Sequence, residues 1–176
     1  MSFFSSANHP IKATSWSGLR VWLIGASSGI GRSLAIDLSR LGAQMVISAR
    51  NSELLDDVAT SCQHDALDNE RPLVLPLDIT NNEQLANALT KIQETLSGID
   101  LVIINAGTYS ATRANTLTTN EVSSVLETNL LGPMRACALM LPELVKSAEK
   151  SKSPYAGVAF VGSVAGYRGL PQALTY

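Results

Sequence analysis

Cysteine, histidine and an excess of either charge are all scarce in this chain, and each scarcity argues against a class of function. Its 176 residues hold two cysteines and two histidines, and the formal net charge is −2. Cys62 and Cys137 stand far apart with neither CxxC nor metal-ligand spacing, and His9 and His64 are equally isolated. That argues against a disulfide scaffold and a metal centre, and leaves two buried or half-buried thiols in a reducing compartment. A weakly acidic balance gives no electrostatic footprint for nucleic acid or an anionic membrane. Long apolar runs are missing as well, so no segment is expected to span a bilayer, and the longest helical candidate carries Arg135. Met1 to Gly18 has no continuous apolar h-region and no A-x-A cleavage site, so residues 1–18 read as a short flexible tail before one domain over 19–176. The cytoplasm is the default location. What the chain does have is apolar content, 45% of its residues, enough for a sizeable core.

That apolar content is organised around one glycine-rich stretch. Gly25-Ala26-Ser27-Ser28-Gly29-Ile30-Gly31 follows the run Val21-Trp22-Leu23-Ile24 and opens a helical pattern at Ile30, Leu34, Leu38 and Leu41. Strand, glycine turn and helix N-terminus in that order make an anion site. Glycine permits positive φ and close approach of backbone to ligand, and the first-turn amides lack intrahelical partners and point at the anion. A dinucleotide pyrophosphate fits this description. A nucleoside-triphosphate P-loop does not, because five residues separate Gly25 from Gly31 where four are needed and Arg32 stands where lysine should be. Taken alone, a plain glycine-rich turn is the competing reading.

Along the rest of the chain, strand and helix alternate. Arg20 to Ile24, Met45 to Ile47, Leu73 to Leu75, Leu101 to Ile104 and Val158 to Val161 read as strands. The first helix ends at Gly42. Asn51 or Ser52 caps a helix with Leu54, Leu55, Val58 and Cys62 on one side. Thr80 to Glu83 and Thr118 to Glu121 read as capping boxes. The first starts a helix with Leu85, Leu89, Ile92 and Leu96 in a stripe, ending at Gly98. The second starts a long helix with Val122, Val125, Leu126 and Leu130, bent near Gly132-Pro133. Such alternation predicts an α/β fold, a parallel sheet with helices on both faces. Ligands in these sheets bind beyond the carboxyl ends of the strands, which gathers Gly25 to Gly31, Arg50, Asp78, Asn105 and Ser163 along one edge.

Gly25-x-x-x-Gly29-x-Gly31, Asp78, Asn105-Ala106-Gly107, Asn129, Ser163 and a tyrosine thirteen residues beyond that serine form an ordered set. In that order and spacing, from Arg20 to Tyr176, the chain resembles the short-chain dehydrogenase/reductase family. The resemblance implies a Rossmann-type doubly wound parallel sheet in strand order 3-2-1-4-5, and hydride transfer between NAD(P) and a carbonyl or alcohol. Gly25, Ser27, Ser28, Gly29, Ile30, Gly31, Asp78, Ile79, Asn105, Ala106 and Gly107 would then hold the cofactor, with Asp78 at the adenine amino group or merely capping the following helix. Ser163 would hydrogen-bond the substrate oxygen, Tyr176 would be the general acid or base, and Asn129 would hold a water in the proton relay. A hydroxyl donor beside a phenol suits the chemistry, since reducing a ketone develops negative charge on its oxygen.

The chain also departs from the family pattern. Ile24 stands where threonine is commonest, Ile104 where a further asparagine is common, and Gly162 replaces a small hydroxyl residue. The sequence stops at Tyr176, before the lysine expected four residues later, which binds the nicotinamide ribose and lowers the tyrosine pKa. A phenol at the ordinary value of about 10 is ionised to roughly one part in a thousand at neutral pH, so the base direction is impaired. The fifth strand would be left as an apolar edge, a pairing liability. The expectation is a shortened version of a longer enzyme whose later strands are missing.

Cofactor preference turns on the end of the second strand, where an NAD-selective site carries an acidic residue. Ser48-Ala49-Arg50-Asn51 has none. Arg50 is placed to pair with a 2′-phosphate, so NADP is expected over NAD. Three classes follow: an NADPH-dependent carbonyl reductase acting on a small molecule, a dinucleotide-binding module without turnover, and a scaffold that associates with its own copies through long helices as relatives do. Tyr109, Thr112 and Tyr167 are candidates to border the substrate site.

Overall fold

The computed structural model describes residues 16–66, 69–151, 156–173 and 175–176. The tail expected over residues 1–18 lies outside the described residues as far as residue 15, and Trp16 already packs against the core.

Five strands form one parallel sheet: β1 (Arg20–Ile24), β2 (Gln44–Ser48), β3 (Leu73–Val74), β4 (Leu101–Ile104) and β5 (Gly157–Phe160), in the order β3-β2-β1-β4-β5. This is the order the family resemblance implied. The near-continuous apolar run of β1 is explained by its central place, because alternate side chains enter different cores. Trp22 and Ile24 pack on one face with Leu85, Ile92, Met140 and Leu144, from α3 (Asn82–Leu96) and α5 (Gly132–Ser151). Val21 and Leu23 pack on the other with Ala35, Leu38, Leu55 and Val58, from α1 (Gly29–Arg40) and α2 (Ser52–Asp65). Each such fully buried side chain contributes on the order of 2 kcal/mol. Trp22 keeps its indole N–H satisfied by donating to Ser48 Oγ at 2.9 Å.

Prolines explain the shortness of β3. Pro72 and Pro76 bracket the strand. Leu75 and Leu77 still donate to Ile47 and Ala49 of the neighbouring strand, so Pro76 falls at a position whose missing N–H is not needed by the ladder. At the foot of the sheet Asp100, nearly fully buried, accepts from Arg20 Nε (2.9 Å), Arg20 Nη2 (2.7 Å) and the Arg20 amide (2.9 Å). Burial pushes this carboxyl up, but the hydrogen bonds and charge of Arg20 outweigh it and hold it below its ordinary value.

The caps hold one correction. Asn51 caps α2 and Thr118 with Glu121 forms a full capping box on α4 (Thr119–Leu126). The box expected at Thr80 to Glu83 does not form: Asn81 caps α3 by accepting from Gln84 N at 3.0 Å, because Thr80 is already bound through its amide and hydroxyl to Asp78. Leu54, expected on the buried side of α2, is exposed.

The long helix is not continuous. Glu127–Leu131 is a π segment between α4 and α5, in which the Gly132 amide reaches back to the Glu127 carbonyl. Pro133 offers no amide to the preceding turn, which accounts for the irregularity falling just before Gly132-Pro133. Leu126, at the end of α4, and Leu130, within the π segment, are exposed, against the expected apolar stripe, while Val125 stays buried. Cys62 is fully buried and its thiol is pushed up by that burial; Cys137 is half-buried. Among the described residues no helix is long and apolar enough to cross a membrane.

Candidate functional site

Two adjoining clefts open along the carboxyl edge of the sheet, and Asn105, Ala106 and Gly107 at the exit of β4 line both. The first is bordered by the glycine turn after β1, by Ala49 and Arg50 after β2, and by Asp78 and Ile79 after β3. Gly25 has φ +96°, and a Cβ there would meet the Ala106 amide nitrogen at 2.4 Å. A Cβ at Gly31 would meet the Gly25 carbonyl oxygen at 2.0 Å and Asn105 Nδ2 at 2.7 Å. These glycines bring the head of α1 down onto the β1 and β4 exits, where Asn105 Nδ2 donates to the Gly25 carbonyl at 2.8 Å.

Ser28, the N-cap of α1, is extended (φ −159°) and makes no side-chain cap hydrogen bond, whereas α2, α3 and α4 are all side-chain capped. The amides of Gly29, Ile30 and Gly31 meet no acceptor among the described residues; the first amide to do so is that of Arg32, on Ser28. Three donors at a helix head, crowded by a backbone where no side chain fits, could hold a diphosphate. Ser27 and Ser28 line the same cleft.

Arg50 is exposed, borders the cleft and forms no ion pair among the described residues. Asp78 accepts from the Thr80 amide and hydroxyl through Oδ1 (2.9 and 2.8 Å), which fixes the turn before α3 but does not cap that helix, whose N-cap is Asn81, while Oδ2 has no partner among the described residues. Thr128 of the π segment also lines this cleft, a position sequence reasoning missed. The available signal was Pro133, which loosens the turn before it.

The second cleft lies between the ends of β4 and β5. Val161 N donates to the Ile104 carbonyl at 2.9 Å, which carries the chain out beside Asn105 and brings Gly162 and Ser163 to the edge. Ser163, Tyr176, Asn129 and Ile30 all line this cleft. Ser163 Oγ accepts from the Ala165 amide at 3.2 Å, leaving its O–H free to donate. Asn129 accepts from the Thr108 amide at 2.7 Å and donates to the Thr108 carbonyl at 2.8 Å, pegging the loop after β4. Ile30 is 62% exposed, so the first apolar position of the α1 pattern belongs to the cleft and not to the core. Tyr109 lines the cleft, Thr112 is buried behind it, and Tyr167 is 96% exposed outside it.

The family model described as short chain dehydrogenase matches residues 20–176. The chain belongs to the short-chain dehydrogenase family. It is 32% identical to mouse dehydrogenase/reductase SDR family member 7 over 153 residues, covering 84% of this chain and 45% of that protein. It is 31% identical to an uncharacterized oxidoreductase of Staphylococcus aureus strain USA300 over 124 residues, 70% of this chain and 52% of that one. The chain thus spans about half the length of the curated relatives it matches. Among solved structures, levodione reductase superposes with a TM-score of 0.82 at 26% identity, covering 91% of this chain and 60% of that one. An NADH-dependent reductase complexed with NAD superposes at 0.83 with 22% identity, over 94% and 68% of the two chains, which supports the shared fold.

Proposed function

We propose that this short-chain dehydrogenase binds NADPH in the first cleft and presents a small carbonyl or alcohol substrate to it from the second. The observation that carries the reading is the head of α1, which has no side-chain cap, with the amides of Gly29, Ile30 and Gly31 meeting no acceptor among the described residues above a turn where Gly25 and Gly31 leave no room for a side chain. In this reading those amides, with Ser27 and Ser28, hold the pyrophosphate, and Arg50 pairs with the 2′-phosphate. Asp78 meets the adenine through Oδ2, and Ile79 with Asn105 to Gly107 forms the floor. Bound NADPH supplies a hydride to the carbonyl carbon.

The chain's own residues handle the oxygen. Ser163 donates its hydroxyl hydrogen to the substrate oxygen, Tyr176 delivers the proton that converts the developing alkoxide to an alcohol, and Asn129 borders the proton path. A second reading, a dinucleotide-holding chain without turnover, draws support from the position of every proposed cofactor contact before residue 108. Exposed Met134, Leu141 and Val145 on α5 support association of two copies through that helix.

Fluorescence titration with NADPH and NADH tests the cofactor assignment. NADPH is expected to bind more tightly, and Arg50→Asp is expected to weaken NADPH roughly tenfold or more, the scale of one lost charge-assisted contact. Unchanged NADPH affinity in that variant would remove the NADP preference. A carbonyl-reduction assay on the same samples separates turnover from binding alone.

A further inference from the structure

The second cleft measures about 410 Å3, and among the described residues no Asp, Glu, Lys, Arg or His lines it. Its walls are Ile30, Val161 and Ala165, with Tyr109 and Tyr176 making one corner. The two rings pack edge to face, their centroids 5.3 Å apart and their planes at 79°. The Asn129 amide is already committed to the Thr108 backbone. Tyr109 commits its hydroxyl hydrogen to the carbonyl of Gln172, a residue outside the lining, at 3.3 Å. The same carbonyl accepts from the Thr112 amide at 3.0 Å, and Thr112 bridges Ala173. The loop after β4 and the segment bearing Tyr176 are therefore held as one wall. Arg113 and Arg168, the charged residues closest to this wall in the chain, are not part of the lining.

A carboxylate or phosphate in this corner would find no counter-charge among the lining residues, whereas an aromatic ring would find two others, 52% and 44% exposed and so open to contact, beside Ile30, Val161 and Ala165. We infer that Tyr109 is a specificity-determining residue: with Tyr176 it forms an aromatic corner that selects uncharged, aryl-bearing ketones or aldehydes and disfavours keto acids. This rests on the reading that the reacting carbonyl lies at Ser163 and Tyr176.

The test is a binding experiment on the 176-residue chain with tyrosines labelled at 13Cζ, in the presence of NADP+ so that no hydride is available. Acetophenone and phenylglyoxylate share the aryl ketone, and the second carries a carboxylate beside it. Acetophenone is expected to move the Tyr109 and Tyr176 signals saturably, and phenylglyoxylate to bind at least about tenfold more weakly. Tyr109→Ala is expected to weaken acetophenone about fivefold, Tyr109→Phe to restore it, and both to leave NADP+ affinity unchanged. Equal affinity for the two ketones, no shift of either tyrosine with acetophenone, or acetophenone binding unaffected by Tyr109→Ala would overturn the proposal. Failure of the cofactor reading shows separately, as loss of NADPH fluorescence binding in a chain that still distinguishes the two ketones.

Discussion

The two clefts sit side by side on one sheet edge but are made of different material. The first is main chain. Gly25 and Ala26 both donate to the Ser48 carbonyl, Asn105 and Ala106 both donate to the Ile24 carbonyl, and the Asn105 side chain closes onto Gly25. These contacts join β1, β2 and β4, the most deeply buried part of the sheet. The second is side chain and loop. Ser163 is held by two local contacts, its Oγ and its carbonyl accepting from the Ala165 and Gly166 amides at 3.2 and 3.1 Å, and Tyr176 by a 3.4 Å backbone contact and the Tyr109 ring, beside an edge strand whose Phe160 is 60% exposed. A site cut into the core backbone is rigid because moving it means breaking the sheet; a site on exposed loops draws on local stability alone.

A pair of glycine substitutions gives the largest expected contrast. Gly31→Ala in the first cleft puts a Cβ 2.0 Å from the Gly25 carbonyl oxygen, whereas Gly162→Ala in the second meets nothing within 4 Å. The first should cost about 3 kcal/mol or more in urea unfolding and abolish NADPH binding, and the second should stay within about 0.5 kcal/mol. Similar losses in both would erase the distinction.

Next comes the opposite end of the same strands. Asp100→Asn leaves Arg20 without its buried partner and should lower stability by about 3 kcal/mol, with NADPH affinity unchanged. Because the folded carboxyl lies below its ordinary value, its contribution is present at neutral pH and fades as pH falls through that folded value. The gap between wild type and variant in thermal unfolding should therefore narrow in the acid range. A gap independent of pH would contradict the assigned cause.

A smaller effect sharpens the first cleft. Asn105→Ala removes the 2.8 Å bond to the Gly25 carbonyl and should weaken NADPH roughly fivefold, about 1 kcal/mol. The smallest belongs to the second cleft: Ser163→Ala should shift the urea midpoint by no more than about 0.5 kcal/mol and leave NADPH titration unaltered.

Legibility in the sequence followed the same division. Gly25 to Gly31, the strands, the Asn51 cap and the Thr118 box could be read because each is a local pattern with a backbone cause. The Thr80 box failed because Asp78 competes for the same hydroxyl, a choice made by side-chain geometry across two residues. Thr128 and the exposure of Leu130 were hidden because one missing amide at Pro133 changes the phase of a whole turn. Ser163 and Tyr176 could be named only by family resemblance. No periodicity predicts that a thirteen-residue excursion returns to the cleft; the Gln172 carbonyl, held by Thr112 and Tyr109, does that.

In the proposed reading, the amides of Gly29, Ile30 and Gly31, without an acceptor among the described residues, receive a nucleotide diphosphate. Amide-resolved 1H–15N NMR during NADPH titration reads those groups directly. The account predicts that Gly29, Ile30 and Gly31 show the largest saturable shifts, together with Asn105 and Arg50. Saturable binding that leaves Gly29 to Gly31 unmoved would contradict it.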